Sequence, residues 1–200
     1  MRGRINRRFE NSLNDFGKKV VALSKGNLQK GKKGGGNLEK SVRYGIDAPN
    51  MVYSVNFYME GYGAFVDAGV EGAGGVLKGG KYPGNYSGIQ EYKNYKSEWV
   101  RSPFKFGSGR SSGSIYKGIG SFIKKKGLQP RVKKGKKGGG QYKSTLGLKI
   151  AIVKVLWTKG IKGISFFQNA LRVSIKNFEN DILTAIKFDL LEEIRTSINN

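Results

Sequence analysis

Phe167, Leu171, Ile175, Phe178, Ile182, Ile186, Leu190 and Ile194 recur at steps of three or four residues. That spacing puts them along one side of a single continuous helix of nearly eight turns. At about 1.5 Å per residue the helix would reach roughly 45 Å, more than the width of a small domain. An apolar stripe of that length needs a covering surface. Its first half is expected to lie on a sheet and on an N-terminal helix. The stripe's own-chain cover is expected to fail above all from Phe188 to Ile198. Ile182, Ile186, Leu190 and Ile194 extend beyond what one small sheet covers and are candidate interface residues, met in part by a neighbouring subunit.

The N-terminal helix is read from Ile5, Phe9, Leu13, Phe16, Val20 and Leu23, again at three- and four-residue steps. It is expected from about Ile5 to Ser24, ended by Gly26 and Asn27. Leu38–Asp47 and Met51–Met59 alternate apolar and polar residues and predict a β-hairpin turned by Asp47-Ala-Pro-Asn50. Tyr62, Phe65 and Val66 predict a short helical turn stopped by Gly69. Residues 70–114 show no sustained periodicity and read as a long loop in which Ser102–Phe106 packs back on the core. Ile115, Ile119, Phe122 and Ile123 predict a helix capped by Ser114 and stopped by Gly127. A second loop is expected over 124–142 and a turn over Gly160–Gly163. Leu146–Trp157 is apolar and partly β-branched, so helix and strand compete there.

Charge narrows the range of partners. The net charge is +23 and the pI about 10.2, which draws a chain to nucleic acid, acidic protein surfaces or anionic lipid. The run Lys30-Gly-Lys-Lys-Gly-Gly-Gly36 returns as Lys134-Gly-Lys-Lys-Gly-Gly-Gly140. Both read as exposed, irregular arms, with Lys30, Lys32, Lys33, Lys133, Lys134, Lys136 and Lys137 as candidate polyanion contacts. Tyr82, Tyr86, Tyr92, Tyr95, Trp99 and Phe104 lie among lysines and suit either base stacking or a protein interface. The Met1–Arg8 stretch leads into no long apolar run, so no secretory signal is expected. Leu146–Trp157 is too short and too charged to span a bilayer, and no membrane partner is expected.

Chemistry is constrained just as firmly. The chain has no cysteine and no histidine, which removes thiolate nucleophiles, Cys/His zinc sites and the usual base near neutral pH. Its 14 acids are scattered; Asp67 and Glu71 flank Gly69 and could bind a cation, but two acids in a loop do not make a metal site. The glycine-lysine runs lack the Gly-Lys-Ser/Thr ending of a P-loop. The expectation is no catalysis, no metal and no cofactor.

Four fragments appear in a fixed order. They are Glu60-Gly-Tyr-Gly-Ala-Phe-Val-Asp-Ala-Gly-Val-Glu-Gly72, Ser102-Pro-Phe-Lys-Phe106, Gly118–Arg131 with its Phe-Ile-Lys-Lys-Lys-Gly, and Gly160-Ile-Lys-Gly-Ile-Ser-Phe-Phe-Gln-Asn-Ala-Leu171. Together they resemble the tail-completion, or head–tail joining neck, proteins of tailed bacteriophages. Phe122 stands where that family usually has Trp, and the insert from Gly72 to Ser102 is longer than a compact member needs. The resemblance implies an α+β fold: a small antiparallel β-sheet packed by an N-terminal helix and a long C-terminal helix, with long Gly/Lys-rich loops. It implies a single domain over 1–200 with insertions at about 70–114 and 124–142, and it favours helix for Leu146–Trp157. Asp67 would hold its turn through backbone amides. The function implied is that of a structural virion protein in a sixfold or twelvefold homo-oligomeric ring at the portal vertex. That ring would join portal or connector to tail, with possible contact to packaged DNA, after assembly in the host cytoplasm. Tyr62, Phe65, Phe104 and Phe106 are then further interface candidates, and the 70–114 loop would fold on a neighbouring subunit. The rival class, resting on charge and glycine-lysine runs, is a basic nucleic-acid-binding protein of ribosomal or nucleoid type.

Overall fold

The structure, a computed structural model, describes residues 7–31, 33–49, 52–78, 83–106, 112–128 and 144–198. The fold is α+β, with small antiparallel two-stranded sheets, an N-terminal helix and a long C-terminal helix. The chain divides into two compact units. The first holds residues up to Asp67, Lys93–Val100 and everything from Ile164 on; the second holds Ala68–Tyr92 and Arg101–Gly163.

In the first unit, α1 (Arg7–Lys30) and α6 (Phe166–Ile198) run antiparallel along each other. Three contacts fix the direction. Asn27 Nδ2 donates to the Phe166 carbonyl at 2.9 Å, the Phe16 and Phe178 rings lie 4.4 Å apart, and the Phe9 amide donates to Asp189 Oδ2 at 3.2 Å. Helix α1 runs through Gly26, where it was expected to stop. Leu28 is fully buried one residue beyond Asn27, so tertiary packing outweighs the roughly 1 kcal/mol helix penalty of glycine.

The stretch expected as the first strand begins as a helical turn, α2 (Asn37–Ser41), because Leu38 and Val42 are buried four residues apart on one core. Only then does the chain extend into β1 (Arg43–Asp47), which pairs antiparallel with β2 (Ser54–Tyr58). Tyr44 lies opposite Phe57 and Ile46 opposite Val55, the alternation read from the sequence. The Tyr44 ring rests where a Cβ on Gly17 would stand, and Phe57 meets both Phe16 and Phe167 edge-on. Leu28, Leu38, Val42 and Phe166 form the core, with Val21, Met59, Val66 and Ile164 packed around them.

The second unit is built from short pieces. The stretch 70–114, expected as an irregular loop, carries β4 (Gly75–Leu77), β5 (Gly84–Tyr86), β6 (Glu91–Lys93) and β7 (Trp99–Arg101), with Lys93 and Trp99–Val100 counted to the first unit. Strand β3 (Gly69–Val70) pairs with β8 (Ile161–Lys162), so the expected 160–163 turn is the far half of a two-residue sheet. Strands this brief leave no room for a period-two pattern, which hides them from the sequence. Leu146–Trp157 resolves to a helix, α5 (Thr145–Lys159), with Ser144 Oγ accepting the Gly147 amide at 3.1 Å. Helix α4 (Ser112–Lys125) starts before Ser114, which is therefore inside the helix rather than its cap, while Gly127 ends that region at φ +58°. Among the described residues no helix is long and apolar enough to cross a membrane.

Candidate assembly surfaces

The 60–72 fragment supplies three different kinds of group. Helix α3 (Gly63–Ala68) leaves Tyr62 and Phe65 exposed. Asp67 is buried, and its Oδ1 accepts the Phe167 amide at 2.7 Å. Its own carbonyl takes the Ser165 amide, and Val66 takes Ile164. The backbone amides that Asp67 holds thus open a helix a hundred residues downstream, where unpaired amides and the helix dipole favour an oxygen acceptor. Burial raises the Asp67 pKa, and the Phe167 and Gln168 amides oppose that rise.

Glu71 takes different partners. Its carboxylate is almost wholly buried and is gripped by both Arg101 Nε and Arg101 Nη2, with Lys105 Nζ at 3.5 Å. The Glu71 amide donates to the Phe104 carbonyl at 2.7 Å, and the Phe106 amide returns to the Glu71 carbonyl at 3.0 Å. The Arg101 hydrogen bond is the main cause of a lowered Glu71 pKa. Asp67 and Glu71 are therefore not a shared cation site: each carboxylate is satisfied by its own protein donors. Residues 102–106 pack back as expected, but onto the second unit. Ser102 Oγ donates to the Gly69 carbonyl at 2.8 Å, and Phe106 stacks on Trp157 with ring centres 5.9 Å apart. Phe104 and Phe106 are half-buried within the chain's own packing.

Helix α6 divides its faces in a way the stripe did not foretell. The buried side carries Phe166, Ala170, Ser174, Ala185 and Asp189, mostly small residues that let α1 approach closely. Asp189 is buried at the start of α1, where it takes the Phe9 amide and Arg8 Nε at 3.9 Å, while Arg8 Nη2 reaches Glu192 at 3.4 Å. The large apolar residues of the C-terminal half stand outside that seam. Ile182 is half-buried, but Ile186, Leu190 and Ile194 are 40, 49 and 54 % exposed and Leu183 is 66 % exposed. Successive members lie three or four residues apart and form one continuous face.

The described residues of the first glycine-lysine run beyond Lys30 lie in no helix or strand, and Lys33–Gly36 are exposed, as expected, but hydrogen bonds tie part of the run. Lys30 ends α1, and the Lys33 amide closes on the Leu28 carbonyl at 2.8 Å. Glu39 accepts the Gly35 amide and, at 2.6 Å, Gln29 Nε2; these bonds, the Gly35 amide first, lower its pKa. Lys32, Lys133, Lys134, Lys136, Lys137 and Tyr82 lie outside the described residues. Among the aromatics, Tyr95 and Trp99 are exposed, and the Lys159 ammonium sits 4.1 Å from the Tyr86 ring centre. Among the described residues no three acids gather as a metal site. The Glu71–Arg101 clasp and the Asp189 anchor escaped sequence reading, since partners 30 and 180 residues apart leave no local pattern. No family model, curated protein or solved structure matches the chain.

Proposed function

We propose that this chain is a structural subunit of the head–tail junction of a tailed bacteriophage. In this reading it forms a ring between portal or connector and tail, makes no bond and breaks none, and resides in the virion neck after assembly in the host cytoplasm. The observation that carries the reading is the exposed apolar face of α6, formed by Leu183, Ile186, Leu190 and Ile194. Contiguous exposed apolar surface marks interaction sites, and a ring subunit needs a face of this kind for its neighbour. Burying each such side chain is worth roughly 1.5–3 kcal/mol. The ordered series of family-like fragments supports the same reading.

The test is assembly of the full chain with its portal-side partner, followed by sedimentation and negative-stain microscopy. Rings at the portal are the expected outcome. A chain that stays monomeric beside an assembled portal would defeat the reading and leave the ribosomal or nucleoid class standing. Nucleic-acid binding is compatible with both classes, so ring formation is the observation that separates them.

A further inference from the structure

The second unit holds 19 lysines and arginines against two acids, Glu71 and Glu91, a difference of +17 out of the +23 of the whole chain. Between Glu98 and Glu179 the sequence contains no acid. Glu71 is already taken by Arg101 and Lys105. Cations in this unit outnumber its acids 19 to two, and an excess of that size attracts polyanions strongly.

The arrangement on α4 shows which polyanion fits. Tyr116, Gly120 and Ile123 lie on one side of this helix and turn inward. Ile123 is buried, and Lys149 from α5 lies 3.5 Å over the Tyr116 ring and passes across Gly120. Lys117, Ser121, Lys124 and Lys125 are exposed and spread from the flank of the helix, where Lys117 and Lys124 stand, to its outer side, where Lys125 stands. Lys117 and Lys124 are two turns apart, about 10 Å along the axis. A helix that lies in a membrane surface must free a broad apolar side for the lipid, and here Ile123 is buried and Ile119 half-buried in the unit, which leaves Phe122 as the exposed apolar ring among the described residues of α4. Protein interfaces are depleted of lysine at their centres, which disfavours an acidic protein as the partner of this face. A dense, regular array of phosphates has the matching chemistry, since duplex DNA carries one negative charge per about 1.7 Å.

We propose that the second unit is a sequence-independent binding module for the phosphate backbone of double-stranded DNA, with Lys117, Lys124 and Lys125 of α4 as phosphate contacts. The proposal rests on the charge and geometry of this unit and does not require the neck reading.

The experiment measures the affinity of the full chain for a mixed-sequence duplex of about 30 base pairs, by fluorescence anisotropy, across a range of salt. K117Q/K124Q/K125Q is compared with K18Q/K40Q/K176Q, a triple in the first unit with the same change in charge. Glutamine is a good helix former and the six lysines are exposed, so circular dichroism is expected to match the parent. The α4 triple should lower the slope of log K against log salt by about 2–3 and weaken binding roughly a hundredfold near 0.15 M salt. The first-unit triple should leave the slope unchanged. Equal losses in both triples would reduce the effect to net charge and overturn the proposal. Binding to phosphatidylserine vesicles without binding to duplex would overturn it as well. Lysine acetylation gives a second readout: duplex should protect Lys117, Lys124 and Lys125 while Lys18 and Lys40 still react, and absence of that protection would also sink the assignment.

Discussion

At the scale of single residues, backbone contact and buried charge decide what can change. Gly69 sits at φ +82°, and a Cβ there would stand 2.5 Å from the Gly163 amide nitrogen and the Ile161 carbonyl oxygen. Gly160, at φ +80°, would place a Cβ 2.4 Å from the Val70 carbonyl oxygen. Alanine at either position meets backbone on both sides of the β3–β8 pair, so each substitution should cost at least about 1–3 kcal/mol in chemical denaturation. The two acids of the same fragment respond to pH with opposite sign. Glu71 has a lowered pKa, so its contribution is present above the ordinary value of 4.5 and is lost as pH falls through the folded value. Asp67 has a raised pKa, so its contribution is full below 3.8 and is lost as pH rises through the folded value. Between about pH 6 and about pH 3, Glu71→Gln should therefore lose less stability than the parent, and Asp67→Asn should lose more. Thermal melts across that range read both signs, and melts of the two variants that run parallel to the parent would refute the assignment.

At the scale of elements, α1 separates propensity from packing. Its helix passes Gly26 because Leu28 enters the core and Asn27 ties to Phe166. Leu28→Ala should cost about 2–5 kcal/mol by creating a cavity, while Leu190→Ala, at an exposed site of the isolated chain, should stay within about 0.5 kcal/mol. The turn that follows α1 is tied by one side chain beside its backbone bonds. Glu39 holds both Gly35 and Gln29, so Glu39→Ala should speed tryptic cleavage after Lys33 relative to the parent. Equal cleavage rates would mean that the glycine-lysine run is as free as its composition suggests.

At the scale of the whole molecule, the exposed face of α6 ties the proposed function to a measurable assembly. Ile186 and Leu190 stand outside the α1 seam, so aspartate at both positions should leave α1 and the β1–β2 hairpin folded by circular dichroism. The same double variant should abolish ring formation with the portal-side partner, because two charges would enter an apolar contact. Normal rings from this variant would remove α6 from the interface, and an unfolded monomer would return the face to the core. The charge division between the units adds a separate axis. The second unit's excess of +17 predicts salt-sensitive DNA binding whether or not the first unit assembles.

Periodicity alone determined the long elements: α1, α6, the β1–β2 hairpin and the helical turn before Gly69 repeat a pattern long enough to be read. Composition alone determined the absence of histidine and cysteine and the strong positive charge. Tertiary structure decided the rest. It turned Leu38–Ser41 into helix because two apolar residues share one core, and it joined two-residue strands far apart in sequence in the Gly69–Lys162 and Val70–Ile161 pairs. It also chose which side of α6 is buried. The sequence marks a stripe of large apolar residues, but close approach of α1 selects the side with Ala170, Ser174 and Ala185, since small side chains let two helices meet along their length. Local pattern records what a segment prefers, and only the neighbour it meets determines which of its faces is covered.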